Sequence, residues 1–424
     1  MKRTLAIVLA LVLLGGCAIA ANAQEQFTLR YCWWGGDARH EATLAAIALY
    51  EELNPHVKIE AEYQGYDGYN DKLLTQLAGG MQPNVMQIMA TGPAEYFSTF
   101  PGAFVKLDEQ DIFDISGFDQ GFLNSFGTTV DGSICAVPTG VSSYNFVVNR
   151  TVFERAGIEL PESMTWDECL ELGKALHAAN PDFYLFSNGD DDWNHFLRSY
   201  VRQLTGRWTI EKDWSVVDDR DALIEAFTWL QASYTENVAE PMESAFVYFS
   251  DRDANKKWLN NEIAFSYRAS SAIALIDTSG GMELDVVNIP IVPGAEFTGV
   301  ITQPAQCLMV AQNADTEEAL KFVNWLFNDM DAGRILKDVR GMPPVGPVRD
   351  TLAAEGLLNP IVSKAVGIAL EVTDGPVFPG NENTEVYGFL HPLMEELCYG
   401  AVTPEEAADR IINELPEIVE GIRP

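Results

Sequence analysis

Basic residues are scarce in this chain. Its 424 residues include 27 lysines and arginines against 62 aspartates and glutamates, which gives a formal net charge of −35. Such a surface repels polyanions, so the charge excludes nucleic acid and an anionic membrane surface as partners. It favours solubility and carries no information about the fold.

The motifs of several large enzyme classes are also missing. The chain contains no glycine-rich phosphate loop, no G-x-S-x-G turn and no H-E-x-x-H helix. Its five histidines are not paired at metal-ligand spacing, and we predict neither a metal nor any other cofactor. A glycoside hydrolase needs only two carboxylates at a fixed separation, and a chain with 62 acidic residues leaves that reading open.

Three consecutive acids, Asp190–Asp192 in "NGDDDWNHF", have three alternative readings. They could contact a ligand, bind calcium, or begin a helix, whose N-terminus favours negative side chains. The helix start is the simplest explanation, and we favour it.

Cysteines are few, and no C-x-x-C pair occurs. Those that follow the N-terminal segment are Cys32, Cys135, Cys169, Cys307 and Cys398. Their odd number, wide spacing and apolar surroundings predict buried thiols rather than a metal site. One disulfide stays open as an alternative.

The one extended apolar run lies in "MKRTLAIVLALVLLGGCAIAANAQEQ", after two basic residues and before small ones. This order is typical of a secretory signal over residues 1–23, and the run is too short to span a bilayer. Two cleavage sites compete: the lipobox-like Leu14–Cys17, which would place a lipid on Cys17, and the A-x-A site Ala21–Ala23. Both predict an exported protein, in the periplasm or on the outer face of the cell envelope.

Hydrophobic periodicity alternates between strand and helix after this signal. The segments "FTLRYC", "VKIEAEY" and "NVMQIM" have strand patterns, and "DARHEATLAAIALYEELNP" and "YNDKLLTQLAGG" between them have helix patterns. This order predicts a mostly parallel α/β sheet. Such sheets bind ligands at the carboxyl ends of their strands, where "WWGG" (33–36) lies.

A second α/β run follows, and extended segments connect it to the first. The helix "TWDECLELGKALHAA" opens with Thr165 and Glu168 at capping-box spacing, and "EIAFSYRASSA" has a strand pattern. The segments "AVPTGVSSYNFVVNRTVF" and "VVNIPIVPG" are apolar and extended, so we predict that both cross between two lobes. A hinge at "AVPTG" and "NIPIVPG" and a cleft between the lobes follow from this prediction.

Aromatic residues recur at predicted strand ends and turns. They are Trp33 and Trp34 beside Gly35 and Gly36, Tyr66, Tyr69, Trp193 and Tyr267. An aromatic ring stacks on the apolar face of a sugar, glycine lets the backbone approach it, and Asp37 can accept its hydroxyl protons. Each ring taken singly fits core packing better, but their shared position indicates a binding cleft.

The chain resembles a known family along nearly all of its predicted mature length. The segments that carry this resemblance include "WWGGDARHEATLAAIALYEELNPHVKIEAEYQGYDGYNDKLLTQLAGGMQPNVMQI", "TQPAQCLMVAQNADTEEALKFVNWLFND" and "VRGMPPVG". They are similar to family 1 extracellular solute-binding proteins, the carbohydrate receptors of bacterial ABC importers. Within that family, the opening "WWGG…RHE.TL" is most similar to the oligogalacturonide-binding branch.

The resemblance implies a two-lobed periplasmic-binding-protein clamp of type II, similar to maltose-binding protein, without catalysis. Such a monomer captures a sugar or oligosaccharide between its lobes and delivers it to the permease subunits in the membrane. The resemblance divides the chain into an N-terminal lobe of residues 24–137 plus 290–341 and a C-terminal lobe of 138–289 plus 342–424. A peptide, polyamine or anion stays open as the ligand, and a polyamine would suit the acidity.

The resemblance also implies ligand-binding residues, position by position. In the first lobe it implies Trp34, Gly35, Gly36, Asp37, Arg39, Met89, Thr91 and Tyr96. Trp33 and Tyr66 are ligand-binding candidates because of their position at a predicted strand end and turn. At the crossings and in the second lobe it implies Ser142, Trp193, Arg198, Tyr267, Arg268, Ser270, Gln303 and Pro304. Some relatives have an acidic ligand residue where this chain has Ser142.

Two arginines have two readings each. Arg39 and Arg268 could pair with nearby acids at the surface, as Arg39 with Glu41. Alternatively, at least one faces the cleft and binds the carboxylate of a uronic acid, which matches a guanidinium in shape and charge.

Overall fold

We describe the protein from a computed structural model. The structure describes residues 26–89, 93–126, 132–187, 190–248, 252–276, 278, 280–374 and 377–423. Within these ranges the chain is a mixed α/β protein with two sheets, as the alternating periodicity predicts.

The strands are β1 (Phe27–Trp34), β2 (Val57–Gln64), β3 (Val85–Ile88), β4 (Val137–Pro138), β5 (Val141–Asn149), β6 (Tyr184–Phe186), β7 (Ile263–Ala269), β8 (Leu284–Val287), β9 (Thr302–Pro304) and β10 (Cys307–Val310). The α-helices are α1 (Asp37–Leu53), α2 (Tyr69–Ala78), α3 (Pro93–Thr99), α4 (Gln120–Phe126), α5 (Arg150–Ala156), α6 (Trp166–Ala179), α7 (Asp190–Thr205), α8 (Arg220–Thr235), α9 (Met242–Ala245), α10 (Lys256–Leu259), α11 (Thr316–Asn328), α12 (Met330–Leu336), α13 (Gly346–Ala354), α14 (Pro360–Leu370), α15 (Thr384–Cys398) and α16 (Pro404–Ile422). Short 3₁₀ turns span Leu107–Glu109, Phe246–Tyr248, Arg252–Ala254, Ser270–Leu275 and Pro379–Glu382.

The first sheet has the strand order β2-β1-β3-β10-β4. Strand β1 pairs in parallel with both β2 and β3, and β10 runs antiparallel to β3 and β4. Because β1 and β2 end together, with Trp34 opposite Gln64, the carboxyl ends of these strands share one edge of the sheet. Met89, directly after β3, lies at that edge too.

The second sheet has the strand order β6-β7-β5-β8. Its core is rich in aromatic rings, such as Phe146 and Phe265, whose centroids are 5.1 Å apart. Buried residues of helices α6, α7, α8, α15 and α16 belong to the same core. The helices therefore cover one face of the sheet and hold β5 in place.

Strands β5 and β9 join the two sheets. Only Thr139 and Gly140 separate β4 of the first sheet from β5 of the second. Strand β9 lies antiparallel to the start of β5, with Ser142 opposite Gln303, and leads into β10 after two residues. We call residues 139–144 and 302–304 the crossing strands. The segment predicted to cross, "AVPTGVSSYNFVVNRTVF", contains β4 and β5 and therefore connects the two sheets.

The predicted crossing at "VVNIPIVPG" is wrong. Ile289 belongs to the core of the second sheet, and the backbone N–H of Ile291 donates to the Met164 carbonyl at 3.0 Å. The segment therefore stays with the second sheet, and β9 makes the return. A further segment reaches the crossing from outside both sheets, because Val141 and Met342 exchange backbone hydrogen bonds of 2.8 and 3.1 Å.

The structure agrees with several local predictions from the sequence. Thr165 and Glu168 form the predicted capping box of α6, and α7 begins at Asp190, as the helix reading of the acidic run predicts. The cysteines at 32, 135, 169, 307 and 398 are buried free thiols. In the described ranges, none of the helices combines the length and the apolar character that crossing a bilayer requires.

Candidate functional site

The two adjacent tryptophans of β1 have different environments. Trp33 is fully buried, its Nε1 donates to Nδ1 of His40 at 3.0 Å, and its ring stacks on Tyr63. Trp34 is half-buried. Successive side chains of a strand point to opposite faces, and β1 continues two residues beyond its predicted end. Trp33 therefore belongs to the core, and the structure gives it no surface for the predicted ligand contact.

Trp34 lies in an aromatic group at the edge of the first sheet. Its ring centroid is 5.5 Å from that of Tyr66 and 4.9 Å from that of Tyr69. Tyr66 is 50% exposed, whereas Tyr69 is buried and donates a hydrogen bond to the Gln87 carbonyl. Trp34 and Tyr66 therefore offer the aromatic surface that the sequence predicts here. Met89 at the same edge is also exposed.

The two glycines after Trp34 serve different purposes. A Cβ on Gly35 would lie 2.6 Å from Cδ of Arg39, so Gly35 makes room for that side chain. Gly36 is exposed, has no atom within 4 Å of an added Cβ, and is the N-cap of α1 without a side-chain cap. Only Gly36 fits the predicted close approach of backbone to a ligand. Asp37 is exposed in the first turn of α1.

Arg39 is not paired with Glu41. Its Nε donates to the Val339 carbonyl at 3.0 Å and its Nη1 to the Trp34 carbonyl at 3.1 Å. Among the residues that the structure describes, no carboxylate forms an ion pair with it. Burial, and secondarily Arg340, lower the pKa of Arg39 to about 10.

Arg340 is a second cation at this place, which sequence reasoning missed. It is buried, with Nη1 donating to Oε1 of Gln87 at 2.6 Å and Nη2 to Oγ1 of Thr43 at 2.7 Å. Both partners are neutral, and burial lowers its pKa. Arg340 follows Arg39 by about three hundred residues, so no local pattern could have brought the two together. We call Arg39 and Arg340 the arginine pair.

The crossing strands carry small polar side chains. Ser142 and Ser270 are buried with their hydroxyl oxygens 3.4 Å apart, and Oγ of Ser270 accepts from the Ser143 backbone N–H. Gln303 is partly exposed and donates to the Tyr144 hydroxyl at 3.4 Å. Pro304 pairs with Val141. Of these residues, Gln303 has the access that a direct ligand contact requires.

Tyr144 continues this polar surface into the second sheet. Its ring stacks on His195, with centroids 4.5 Å apart, and His195 contacts Tyr267 at 5.3 Å. Burial, together with Arg198, lowers the pKa of His195 well below its ordinary value, and burial raises the pKa of Tyr267. Nη2 of Arg198 lies 2.6 Å from Nδ1 of His195 and donates to Glu382 at 3.3 Å. Tyr267 and Arg198 thus lie together beside the crossing strands.

Other predicted site residues have structural partners. Trp193 is fully buried and its Nε1 donates to the Tyr234 hydroxyl at 2.9 Å, so its ring belongs to the core of the second sheet. Nη1 of Arg268 donates to Asp253 at 2.8 Å, so this arginine pairs with a nearby acid, although its own side chain is largely buried.

Three further residues were predicted as ligand contacts or as a lipidation site. Tyr96 is buried and donates to Oδ1 of Asn70 at 2.5 Å. Thr91 and Cys17 lie outside the described residues. Within the part of the chain that the structure describes, no group of three or more histidine, cysteine or acidic residues could hold a metal ion.

Comparisons with known proteins agree with this architecture. The family model of bacterial extracellular solute-binding proteins matches residues 45–355. The lactose-binding protein of Rhizobium radiobacter is 24% identical over 339 residues, which cover 77% of this chain and 76% of the relative.

Two solved structures share the fold over almost their full length. A periplasmic solute-binding protein from Pectobacterium atrosepticum has a TM-score of 0.81 at 27% identity, covering 94% of this chain and 100% of that one. A periplasmic oligogalacturonide-binding protein from Yersinia enterocolitica, in complex with saturated digalacturonic acid, has a TM-score of 0.75 at 26% identity, covering 93% of this chain and 99% of that one. The family match, the two sheets and the strands that cross between them lead to one conclusion: this chain belongs to the bacterial extracellular solute-binding proteins.

Proposed function

We propose that the protein is the receptor of a carbohydrate ABC importer. It captures a sugar or oligosaccharide between the two sheets and delivers it to membrane permease subunits, as an exported monomer without catalytic activity. The lactose-binding and oligogalacturonide-binding relatives support a saccharide as ligand. A neutral oligosaccharide and a uronic acid fragment of a plant polysaccharide both fit this function.

One observation carries the proposal. Half-buried Trp34 and exposed Tyr66 lie together at the edge of the first sheet, and Arg39 links the Trp34 carbonyl to Val339, next to the Arg340 backbone that packs on Gly140. The polar groups of Gln303 and Tyr144 lie on the crossing strands that begin there. Sugars need both kinds of group, because their ring faces are apolar and their hydroxyls form hydrogen bonds. Strands joined through a few residues can also absorb the rotation that closes two lobes on a ligand.

The crossings suggest where the lobes divide. We propose boundaries within 139–144, at β9 and near Arg340–Met342, where backbone hydrogen bonds link the segments. Compared with the division expected from the sequence, this assigns residues 290–301 to the C-terminal lobe, because that segment packs on the second sheet.

Calorimetric titration against neutral and acidic oligosaccharides tests the function. Saturable binding of a saccharide with no change in the ligand supports the receptor. Absence of binding to every saccharide tested, with binding of a peptide or polyamine, would refute the sugar ligand. Sustained cleavage of a glycosidic bond in the same samples would instead favour the glycoside hydrolase reading.

A further inference from the structure

Helix α7 buries a polar face. Asn194, Arg198 and Arg202 recur every fourth residue, and His195 is adjacent, so these side chains share one side of the helix. Asn194, His195 and Arg198 are 3%, 4% and 2% exposed. A helix of a globular protein ordinarily turns its polar face to water, so this burial needs an explanation.

Several side-chain donors and acceptors on this face have no hydrogen-bond partner in the protein. Both side-chain atoms of Asn194, Nδ2 and Oδ1, are buried without a hydrogen-bond partner, and so are Nε and Nη1 of Arg198. Nearly all buried polar groups in folded proteins have a partner, so exceptions at one place indicate a missing water or ligand. Nε of Arg202 also lacks a hydrogen-bond partner, but it lies 3.6 Å from a carboxylate oxygen of Asp374, and its guanidinium lies over the ring of Phe297.

The surroundings of Arg198 suit a sugar that carries a negative charge. His195 beside it is neutral, because burial and the nearby arginines lower its pKa. The only carboxylate of the described residues in ion-pair contact with Arg198 is Glu382, at 3.3 Å from Nη2. Nε and Nη1 of Arg198 are buried and have no acceptor among the described residues, so water or a ligand must supply one. The aromatic rings of Tyr144 and Tyr267 flank His195 and connect this cluster to the crossing strands.

The arginine pair is separate evidence that the ligand carries negative charge. Arg39 and Arg340 carry two positive charges whose hydrogen-bond partners are carbonyl, amide and hydroxyl oxygens. Two cations with neutral partners are unusual in a chain of net charge −35. Gly140 touches the carbonyl of Arg340, and Tyr144 touches His195. Gly140 and Tyr144 are four positions apart, about 13 Å along an extended strand, so positive charge lies at both ends of the crossing.

We propose that the ligand is an acidic oligosaccharide and that Arg198 and Asn194 recognise its carboxylate-bearing unit. The proposal rests on the function proposed above. Arg198 donates charge-assisted hydrogen bonds to the carboxylate, and the Asn194 amide donates to and accepts from neighbouring oxygens. The arginine pair favours a second acidic unit near Trp34 through its positive charge.

Digalacturonic acid and its dimethyl ester are the probes, because they share a skeleton and differ in charge. The full mature chain should bind the acid at least tenfold more tightly than the ester in calorimetry. Arg198→Gln should weaken acid binding more than tenfold and leave ester binding within about threefold. Arg220→Gln is the matched control, since that exposed arginine of α8 pairs with Asp409 of α16, and the affinity of this variant for the acid should not change.

Asn194→Leu is a second variant of similar volume, in case Arg198→Gln does not fold. It should weaken acid and ester alike, because its amide binds uncharged oxygens as well. Tight ester or lactose binding without acid binding would overturn this inference and leave the receptor intact. Acid binding unchanged in both variants would show that only water fills the face of α7. Binding of no saccharide at all would overturn the proposed function itself.

Discussion

Gly140 lies directly against the backbone of Arg340. A Cβ at position 140 would be 2.4 Å from the Arg340 carbonyl oxygen and 2.8 Å from Cα of Gly341. Neither contact involves a flexible side chain, so backbone would have to move to admit a methyl group. The crossing strand and the segment that carries Arg340 are therefore packed together at the place where the two sheets join.

Replacing Gly140 by alanine should disturb this junction. Overpacking typically costs about 1–3 kcal/mol of the free energy of unfolding, and we expect a loss in that range together with weaker ligand binding. Thermal melting and calorimetry of Gly140→Ala measure both effects. Gly388→Ala is the control, because position 388 is an exposed helical site with no atom within 4 Å of the added Cβ. Equal melting temperatures for both variants would contradict this packing.

The adjacent tryptophans should respond in opposite ways to truncation. Trp33→Ala should lower the free energy of unfolding by about 3–5 kcal/mol, the usual loss for a buried aromatic residue. Trp34→Ala should keep most of the stability and weaken saccharide binding by about 1–4 kcal/mol, as aromatic contacts at binding sites do. Denaturant unfolding and calorimetry on both variants separate the two roles. Loss of stability in Trp34→Ala with full affinity would place Trp34 in the core instead.

The contrast between these two residues shows how far the sequence alone could reach. Alternation of apolar residues located β1 and α1, and a capping box located the start of α6 at Trp166. The side to which each tryptophan points depends on where β1 ends, and the pattern ended two residues early. With the strand ending at Cys32, both tryptophans were predicted to lie in the turn as ligand contacts; because β1 continues to Trp34, the alternation of side chains places Trp33 in the core instead.

Local patterns in the sequence could not predict contacts between residues that lie far apart in the chain. The segments "VVNIPIVPG" and "ITQPAQ" both contain proline, and local composition does not tell which of them crosses between the lobes. The pairing of Ser142 with Gln303 shows that "ITQPAQ" is the segment that runs along the crossing. In the same way, Arg340 joins Arg39 only through the folded chain, and the buried face of α7 becomes visible only when the partners of Asn194 and Arg198 are known.

Ligand binding should make the protein more compact. The crossing strands span few residues, so rotation about them can bring the two sheets together around a ligand without unfolding either core. Small-angle scattering should show a smaller radius of gyration at saturating saccharide than in its absence. A noncognate sugar at the same concentration is the control. An unchanged radius with calorimetrically proven binding would rule out closure of the lobes.

Acidification should destabilise the protein through His195. Its pKa in the folded protein lies well below the ordinary 6.5, first because of burial and then because of Arg198 and Arg252. The unfolded chain therefore binds a proton at this residue before the folded one does. The contribution of the neutral imidazole to stability is fully present above about pH 6.5 and is lost as the pH falls toward the folded pKa.

The variant His195→Gln isolates this contribution. It removes the titrating group and keeps an acceptor for Nη2 of Arg198, while the carboxylates of the chain titrate as before. Between pH 8 and pH 5 the melting temperature should therefore fall further for the wild type than for His195→Gln. Each pH unit over which only the unfolded state is protonated costs about 1.4 kcal/mol, which a melting curve resolves. Parallel losses in both proteins would mean that His195 is protonated in the folded state, and its neutral role beside Arg198 would then be wrong.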